Sequence, residues 1–146
     1  MNDIRIGTLV NVGMDSPAYI EAIRDHGFES YSITFWQTTE GVDWHKLADE
    51  VLKACEPTGA VISSLGVFGN PLETEELDLI TLKGWEEAID HAHLFGCDIV
   101  AGFTGRLRGQ PIHKSLERFS EVWTPLADRA GDKNIRIAFE NCDMGG

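Results

Sequence analysis

The strongest constraint on the fold is the repeated alternation of one β-rich run with one apolar helix pattern. The β-rich runs begin near positions 4, 28, 60, 98 and 135. The second, third and fourth runs each precede a segment whose apolar residues recur at helical spacing, such as Trp85, Ala88, Ile89, Ala92 and Phe95. The first run precedes Ser16 and Pro17, which together are a helix-start signal. This alternation is typical of right-handed βαβ crossovers and predicts an α/β fold with a parallel sheet.

The bounds of the elements follow from composition and from helix-stopping residues. We expect strands over residues 4–10, 28–35, 60–65, 98–103 and 135–140. Ser16 is the expected cap of the first helix, which has Pro17 in its first turn. Pro125 lies inside the fourth helix pattern and should bend that helix. The helices are expected to end at a proline or a glycine: Gly27, Pro57, Gly59, Gly96 and Gly131.

Two architectures fit five strands in this order. A doubly wound sheet of the flavodoxin type normally finishes with a helix, and only six residues follow Glu140. An eight-stranded barrel needs about 250 residues, or about 31 for each unit, so 146 residues supply four to five units. We therefore expect a (β/α) TIM-barrel type that is incomplete, with about five parallel strands and four helices, and residues 1–146 as a single partial domain. The natural gene is then expected to continue with three more βα units.

Charge, cysteines and hydropathy narrow the functional classes. The chain has 24 acidic and 12 basic residues, and its formal charge of −12 repels phosphate backbones, so no nucleic acid is expected as a partner. No apolar run approaches the roughly 20 residues that span a bilayer, and the N-terminus lacks a signal-peptide pattern. We expect a cytoplasmic protein without membrane contact. Three widely spaced cysteines predict buried or inert thiols: Cys55, Cys97 and Cys142.

Glu140 is the strongest candidate for a catalytic or ligand-binding residue. Ligands of parallel α/β folds gather at the carboxyl ends of the strands, where Glu140 ends the fifth run. If the apolar residues of that run pack against helices, alternation turns Glu140 into the barrel at its catalytic rim. A carboxylate there needs a metal, a cation or a substrate hydroxyl. The structural alternative is a glutamate that caps a helix or pairs with an arginine.

The segment over residues 137–141, Ile-Ala-Phe-Glu-Asn, resembles the fifth-strand motif of the xylose isomerase-like TIM-barrel superfamily, in its sugar phosphate isomerase/epimerase branch. Shorter motifs agree in order and spacing: Gly-Phe-Glu at 27–29, Ser-Leu-Gly at 64–66, Gly-Asn-Pro-Leu at 69–72 and Phe-Gly-Cys-Asp at 95–98. The resemblance covers nearly the whole chain. It implies that the chain is the N-terminal part of such a barrel.

The resemblance implies a metal-dependent sugar or sugar phosphate isomerase or epimerase that transfers a proton next to a carbonyl. Its divalent metal, which is manganese, magnesium or cobalt with zinc as a further option, is held by Glu, Asp, His and Glu on strands five to eight. Only Glu140 carries over, as a metal ligand and as the catalytic acid/base, and the other ligands are expected beyond Gly146. The 146-residue chain alone is then expected to be inactive. The partner is a small-molecule sugar or sugar phosphate, and a homo-oligomer is an open option.

Four further residues are candidate substrate contacts. Trp36 follows the second strand and could stack on an apolar sugar face, while core packing is the alternative. Arg106 lies in a loop bounded by glycines and could meet a phosphate or carboxylate, while a solvated loop is the alternative. Asn70 and Asn141 are the other two candidates. Ser32 stands where relatives commonly carry a glutamate, so that contact does not carry over.

Two other classes stay open beside the isomerase. An endonuclease IV-like hydrolase would need histidine ligands after the third and fourth strands, and residues 65–68 and 102–105 contain none. A flavodoxin-like or receiver-type binding module would need clustered acids or a phosphate-cradling loop after the first strand, and residues 12–17 match poorly. All five histidines are expected at the surface: His26, His45, His91, His93 and His113.

Overall fold

The computed structural model describes residues 4–12 and 15–142. The strands are β1 (Gly7–Asn11), β2 (Ser30–Phe35), β3 (Val61–Val67), β4 (Ile99–Phe103) and β5 (Arg136–Glu140). The α-helices are α1 (Ser16–Ile23), α2 (Trp44–Cys55), α3 (Glu76–His91) and α4 (Leu116–Asp132). Short 3₁₀ turns over Arg24–His26 and Ala92–Phe95 continue α1 and α3, and a third over Ile112–Ser115 precedes α4. The loop weighed for a binding module, residues 12–17, includes Gly13 and Met14, which lie outside the described residues.

All five strands are parallel, and their order in the sheet is their order in the sequence. Val10 lies beside Ile33, Ile33 beside Leu65, and Leu65 beside Val100. These four side chains are fully buried in one apolar cluster with helix residues. One face of the sheet is therefore covered by helices. The predicted incomplete barrel of five parallel strands and four helices is confirmed.

Close packing between α3 and the sheet depends on a glycine in β4. Trp85 of α3 is fully buried and meets Trp123 of α4 edge to face, with ring centroids 4.8 Å apart. A Cβ on Gly102 would overlap the carbonyl oxygen of Val67 and stand 2.8 Å from the Trp85 ring. The tryptophan can seat against β4 only because residue 102 has no side chain.

The cap of α1 differs from the expectation. The cap is Asp15, whose Oδ1 accepts a hydrogen bond from the backbone N–H of Ala18 at 3.3 Å. Ser16 is the first helical residue, and its hydroxyl donates to the carbonyl oxygen of Asn11 at 3.2 Å. The prediction for Ser16 is therefore wrong. Aspartate and serine cap helices about equally well, so the sequence alone could not separate these two neighbours.

The other helix ends follow the glycines closely. Gly27 and Gly96 end the first and third helical segments in the left-handed conformation, with φ of 82° and 68°. Helix α4 contains Pro125 and runs one residue past Gly131. Within the described residues, no helix has both the length and the apolar character that crossing a bilayer requires.

One expectation about the histidines changes in the folded chain, and the expectation about the cysteines does not. His91 is half-buried rather than at the surface, because its ring stacks on Trp44 of α2 with centroids 4.9 Å apart and planes at 6°. Cys55 and Cys97 are buried as expected, and burial raises the pKa of the Cys97 thiol to about 11. Cys142 is exposed, and its expected inertness stays a prediction.

Candidate active site at the carboxyl ends of the strands

The sheet face opposite the helices carries alternate residues of each strand. Ser32 and Ser64 are register partners in β2 and β3, and their hydroxyl oxygens are 2.8 Å apart on this face. Because side chains alternate along a strand, Trp36 and Phe68, each four residues further on, emerge on the same face. We call this face the inner face and its edge at the carboxyl ends of the strands the rim.

Three aromatic side chains form a row along the rim. Trp36 stacks on Phe68, with ring centroids 6.1 Å apart and planes at 26°. Phe68 meets Phe103 edge to face at 5.0 Å. Phe68 is buried and Phe103 is half-buried, whereas Trp36 is 63% exposed. We call these three residues the aromatic row. It presents one accessible indole ring beside two packed phenyl rings.

Glu140 ends β5 directly beside Phe103. Its neighbour Phe139 packs on Phe119 and Trp123 of α4, with ring centroids 5.9 and 4.6 Å apart. Since adjacent residues of a strand face opposite ways, Glu140 points to the inner face, as the alternation of the sequence predicts. Its side chain is exposed. In the part of the chain that the structure describes, no hydrogen bond or ion pair engages its carboxylate, so neither a helix cap nor an arginine partner explains it.

An apolar cavity of about 370 Å³ lies on the other side of β5. It is lined by residues of α4 and β5, including Trp123, Ile137 and Phe139. These residues face the helix layer, and Glu140 faces the opposite way. The cavity is therefore separate from the rim.

Asn70 joins the loop after β3 to the loop after β4. Its Nδ2 donates to the carbonyl oxygen of Arg106 at 2.8 Å, and its Oδ1 accepts the N–H groups of Arg106 at 3.1 Å and Leu72 at 3.3 Å. The Asn70 side chain is buried, with 7% exposure of the residue. Its observed partners are backbone groups, and a contact with substrate stays a prediction.

The two arginines of the loop after β4 have different partners. Arg108 donates through both terminal nitrogens to Asp78, at 2.8 and 2.6 Å, and this hydrogen bonding raises the pKa of Arg108. Arg106 is half-buried, and its Nη2 donates to the carbonyl oxygen of Gln110 at 2.8 Å. Arg108 is therefore held by a carboxylate, and the contact of Arg106 with an anionic substrate group stays a prediction.

Three of the predicted site residues lie at or next to the rim, and two phenylalanines that were not predicted lie there as well. Trp36 and Glu140 both lie at the rim, and Asn141, which is exposed, follows Glu140 directly. Sequence reasoning missed Phe68 and Phe103. The signal was present, because each of these phenylalanines stands an even number of residues from an inner-face residue of its strand. The roles of Trp36, Glu140 and Asn141 in binding or catalysis stay predictions.

A metal ion needs several ligating side chains close together. Within residues 4–12 and 15–142, no group of three His, Cys, Asp or Glu side chains could hold one. Glu140 offers one accessible carboxylate, which is the hard oxygen donor that magnesium and manganese prefer. This donor fits one position of a coordination shell. A complete shell needs ligands from outside the described residues.

A parallel sheet in sequential order, with one helix after each of its first four strands and candidate residues at the carboxyl ends, defines the (β/α)-barrel class. The family model described as xylose isomerase-like TIM barrel matches residues 20–146. The chain belongs to this family. Among curated proteins, no sequence matches it.

Solved structures of sugar epimerases share the fold. An L-ribulose 3-epimerase matches with a TM-score of 0.72 and 16% identity, over 98% of this chain and 51% of that protein. The 3-keto-D-glucoside 4-epimerase from E. coli, in its apo form, matches with 0.71 and 18%, over 98% and 58%. A xylose isomerase-like TIM barrel protein from Mycobacterium smegmatis in complex with magnesium matches with 0.70 and 16%, over 97% and 56%. The chain spans about half the length of these structures.

Proposed function

We propose that this chain forms part of a metal-dependent sugar or sugar phosphate isomerase or epimerase, which transfers a proton next to a carbonyl group. Membership of the family and the epimerases among the structural neighbours support this proposal. The observation that carries it is Glu140, an exposed carboxylate on the inner face at the end of β5. No structural partner among the described residues accounts for that carboxylate.

The proposal includes further βα units that complete the barrel around residues 1–146. Ile33, Leu65 and Val100 on the helix-facing side of β2, β3 and β4 are fully buried, whereas Phe139 of β5 is 46% exposed. An exposed phenylalanine beside an apolar cavity favours cover by another apolar element. A helix that follows β5 would supply that cover, and later strands would supply the remaining metal ligands.

Glu140 has two roles in this proposal. Its carboxylate contributes one oxygen ligand to a divalent metal, which when bound stabilises the negative charge that develops on the substrate oxygen. The carboxylate also accepts the proton from the carbon next to the carbonyl. In an isomerase it would return a proton to the neighbouring carbon, whereas an epimerase would need a second acid, from outside the described residues, to protonate the same carbon on its opposite face. The register of β5 with β4 sets the position of Glu140 beside Phe103, so the sheet itself orients the base.

In this proposal, one side of the sugar contacts an aromatic residue near Glu140 and the other side contacts polar residues. Trp36 contacts the C–H face of the sugar with its exposed ring, which Phe68 supports from behind. Arg106 and Asn141 contact hydroxyl or anionic groups at the periphery. Asn70 borders the same substrate region through its hydrogen bonds with Arg106.

The test is the Glu140→Gln variant of the full-length protein that contains these residues. Exchange of the carbon-bound proton with solvent is followed by NMR in D₂O, on a panel of ketopentoses and ketohexoses in their free and phosphorylated forms. The variant keeps the shape of the side chain but loses the basic oxygen, so exchange should fall by roughly 10²- to 10⁴-fold. Glu117→Gln, at an exposed glutamate of α4, is the matched control and should exchange at the wild-type rate.

Two results would contradict the proposal. If folded and metal-loaded Glu140→Gln protein exchanges the proton as fast as the wild type, Glu140 is not the acid/base. If the wild-type protein, loaded in turn with manganese, magnesium and cobalt, exchanges the proton of no sugar in the panel, the sugar isomerase assignment fails.

A further inference from the structure

The loop over residues 104–108, which follows β4, is held by side chains of the loop after β3, of α3, of α4 and of the turn before α4. We propose that Asn70 and Asp78 are positioning residues that hold this loop in place, so that the segment that carries Arg106 is ordered before substrate binds. The inference rests on the proposed function, because it assigns the role of these two residues in the same site.

The first anchor is the side-chain amide of Asn70. It pairs with the backbone of Arg106 in both directions, as donor at 2.8 Å and acceptor at 3.1 Å, in the way that one strand pairs with another. The approach is close, because a Cβ on Gly105 would overlap the Asn70 Oδ1 and stand 2.9 Å from the side chain of Leu72. Gly105 also has a φ of 81°, which favours glycine. The backbone conformation of Gly105 therefore allows the close approach that the hydrogen bonds between Asn70 and Arg106 require.

The second anchor is the carboxylate of Asp78 in the first turn of α3. Its two oxygens accept the Arg108 guanidinium at 2.6 and 2.8 Å, and Oδ2 also accepts the backbone N–H of Glu75 at 3.2 Å. The Asp78 side chain is 3% exposed. The backbone N–H of Arg108 donates to Glu73 at 2.5 Å. One buried carboxylate therefore ties the start of α3 to the loop after β4.

Helix α4 and the turn before it hold the same loop from the other side. Trp123 Nε1 donates to the carbonyl oxygen of Thr104 at 2.9 Å, and the N–H of Leu107 donates to Ser115 Oγ at 3.0 Å. Thr104, Arg106, Leu107 and Arg108 each have at least one backbone group engaged outside the loop. A loop held in this way loses little conformational freedom when a ligand binds, so the anchors should act on substrate affinity.

The experiment compares Asn70→Ala and Asp78→Asn in the full-length metal-loaded enzyme. Asp90→Asn is the matched control, because Asp90 accepts Arg129 through both oxygens, at 2.9 and 2.6 Å, near the opposite end of α3. Two quantities are measured: KM and kcat for a ketose, and hydrogen exchange of the Leu107 amide. That amide bonds to Ser115 and not to Asn70 or Asp78, so its exchange reports the order of the loop.

Both anchor variants should accelerate exchange at Leu107 and raise KM about tenfold, with kcat within about twofold of the wild type. Asp90→Asn should change neither quantity. Unchanged exchange in both anchor variants would overturn the anchoring role, and faster exchange with unchanged KM would overturn the role in substrate binding. A raised KM in Asn70→Ala with unchanged exchange would assign Asn70 a direct substrate contact instead. If the wild type acts on no sugar, the proposed function fails, while the exchange rates still decide whether Asn70 and Asp78 order the loop.

Discussion

The two faces of the sheet come from the same five strands but carry different kinds of residue. On the helix-facing side, Ile33, Leu65 and Val100 are fully buried. On the inner side at the rim, Trp36 is 63% exposed and Glu140 has no partner in the described part of the chain. Burial of apolar area stabilises the folded state, and an accessible carboxylate does not. The helix-facing side should therefore determine stability, and the inner side should determine turnover.

The largest predicted effect is a loss of stability after a substitution on the helix-facing side of the sheet. Trp85→Ala removes a fully buried ring that packs on Trp123 and should lower the free energy of unfolding by about 3–5 kcal/mol. Urea denaturation of the full-length protein measures this change. Trp36→Ala is the control on the inner side, with an expected change below about 0.5 kcal/mol. Equal losses of stability in the two variants would remove the distinction between the faces.

A smaller effect is expected for Trp36→Ala in the assay of activity. Trp36 is the exposed ring that we propose to contact the sugar, so its loss should raise KM roughly two- to tenfold, which corresponds to the usual contribution of one aromatic contact. The proton-transfer step does not involve this ring, so kcat should stay near the wild-type value. Steady-state kinetics on the preferred ketose decide the point. An unchanged KM would place Trp36 outside the binding surface.

The smallest effect is expected at the ion pair between α3 and α4. The hydrogen bond from Arg129 lowers the pKa of Asp90 from its ordinary value of 3.8, so the ionised form stabilises the fold above that pH. Asp90→Asn should lower the free energy of unfolding at pH 7 by less than about 1 kcal/mol, because both side chains are partly exposed. As the pH falls below 3.8, the wild type loses this contribution and the two proteins should converge. Denaturation curves between pH 7 and pH 3 test this, and a difference independent of pH would contradict it.

The main lines of the fold could be predicted because they depend on local periodicity. β-rich runs, helical spacing of apolar residues and helix start and stop signals located the five strands and four helices of the described residues. What the pattern missed depends on contacts between distant segments. Strand β3 continues to Val67, since that residue pairs with both Phe35 and Gly102. The stacking of His91 on Trp44 likewise arises where α3 meets α2.

In the candidate site, too, the features that depend on local periodicity could be predicted and the contacts between distant segments could not. The inward direction of Glu140 follows from strand alternation, so the sequence predicted it correctly. The partners of Asn70 and Arg108 lie about 30 or more residues away in the chain, at Arg106 and Asp78. Such pairings leave no periodic trace in a single sequence. They became visible only when the loops after β3 and β4 were placed side by side.

The sequential strand order also bears on how the chain is made. Each strand lies next to the one that precedes it, so Val10 meets Ile33 and Leu65 meets Val100, each across a single βα unit. Pairings across one βα unit close shorter loops than pairings across several units would, and domains generally fold from the N-terminus during synthesis. We expect β1 to β3 to assemble outside the ribosome while β5 is still being translated. In this chain, growth of the polypeptide and growth of the sheet run in the same direction.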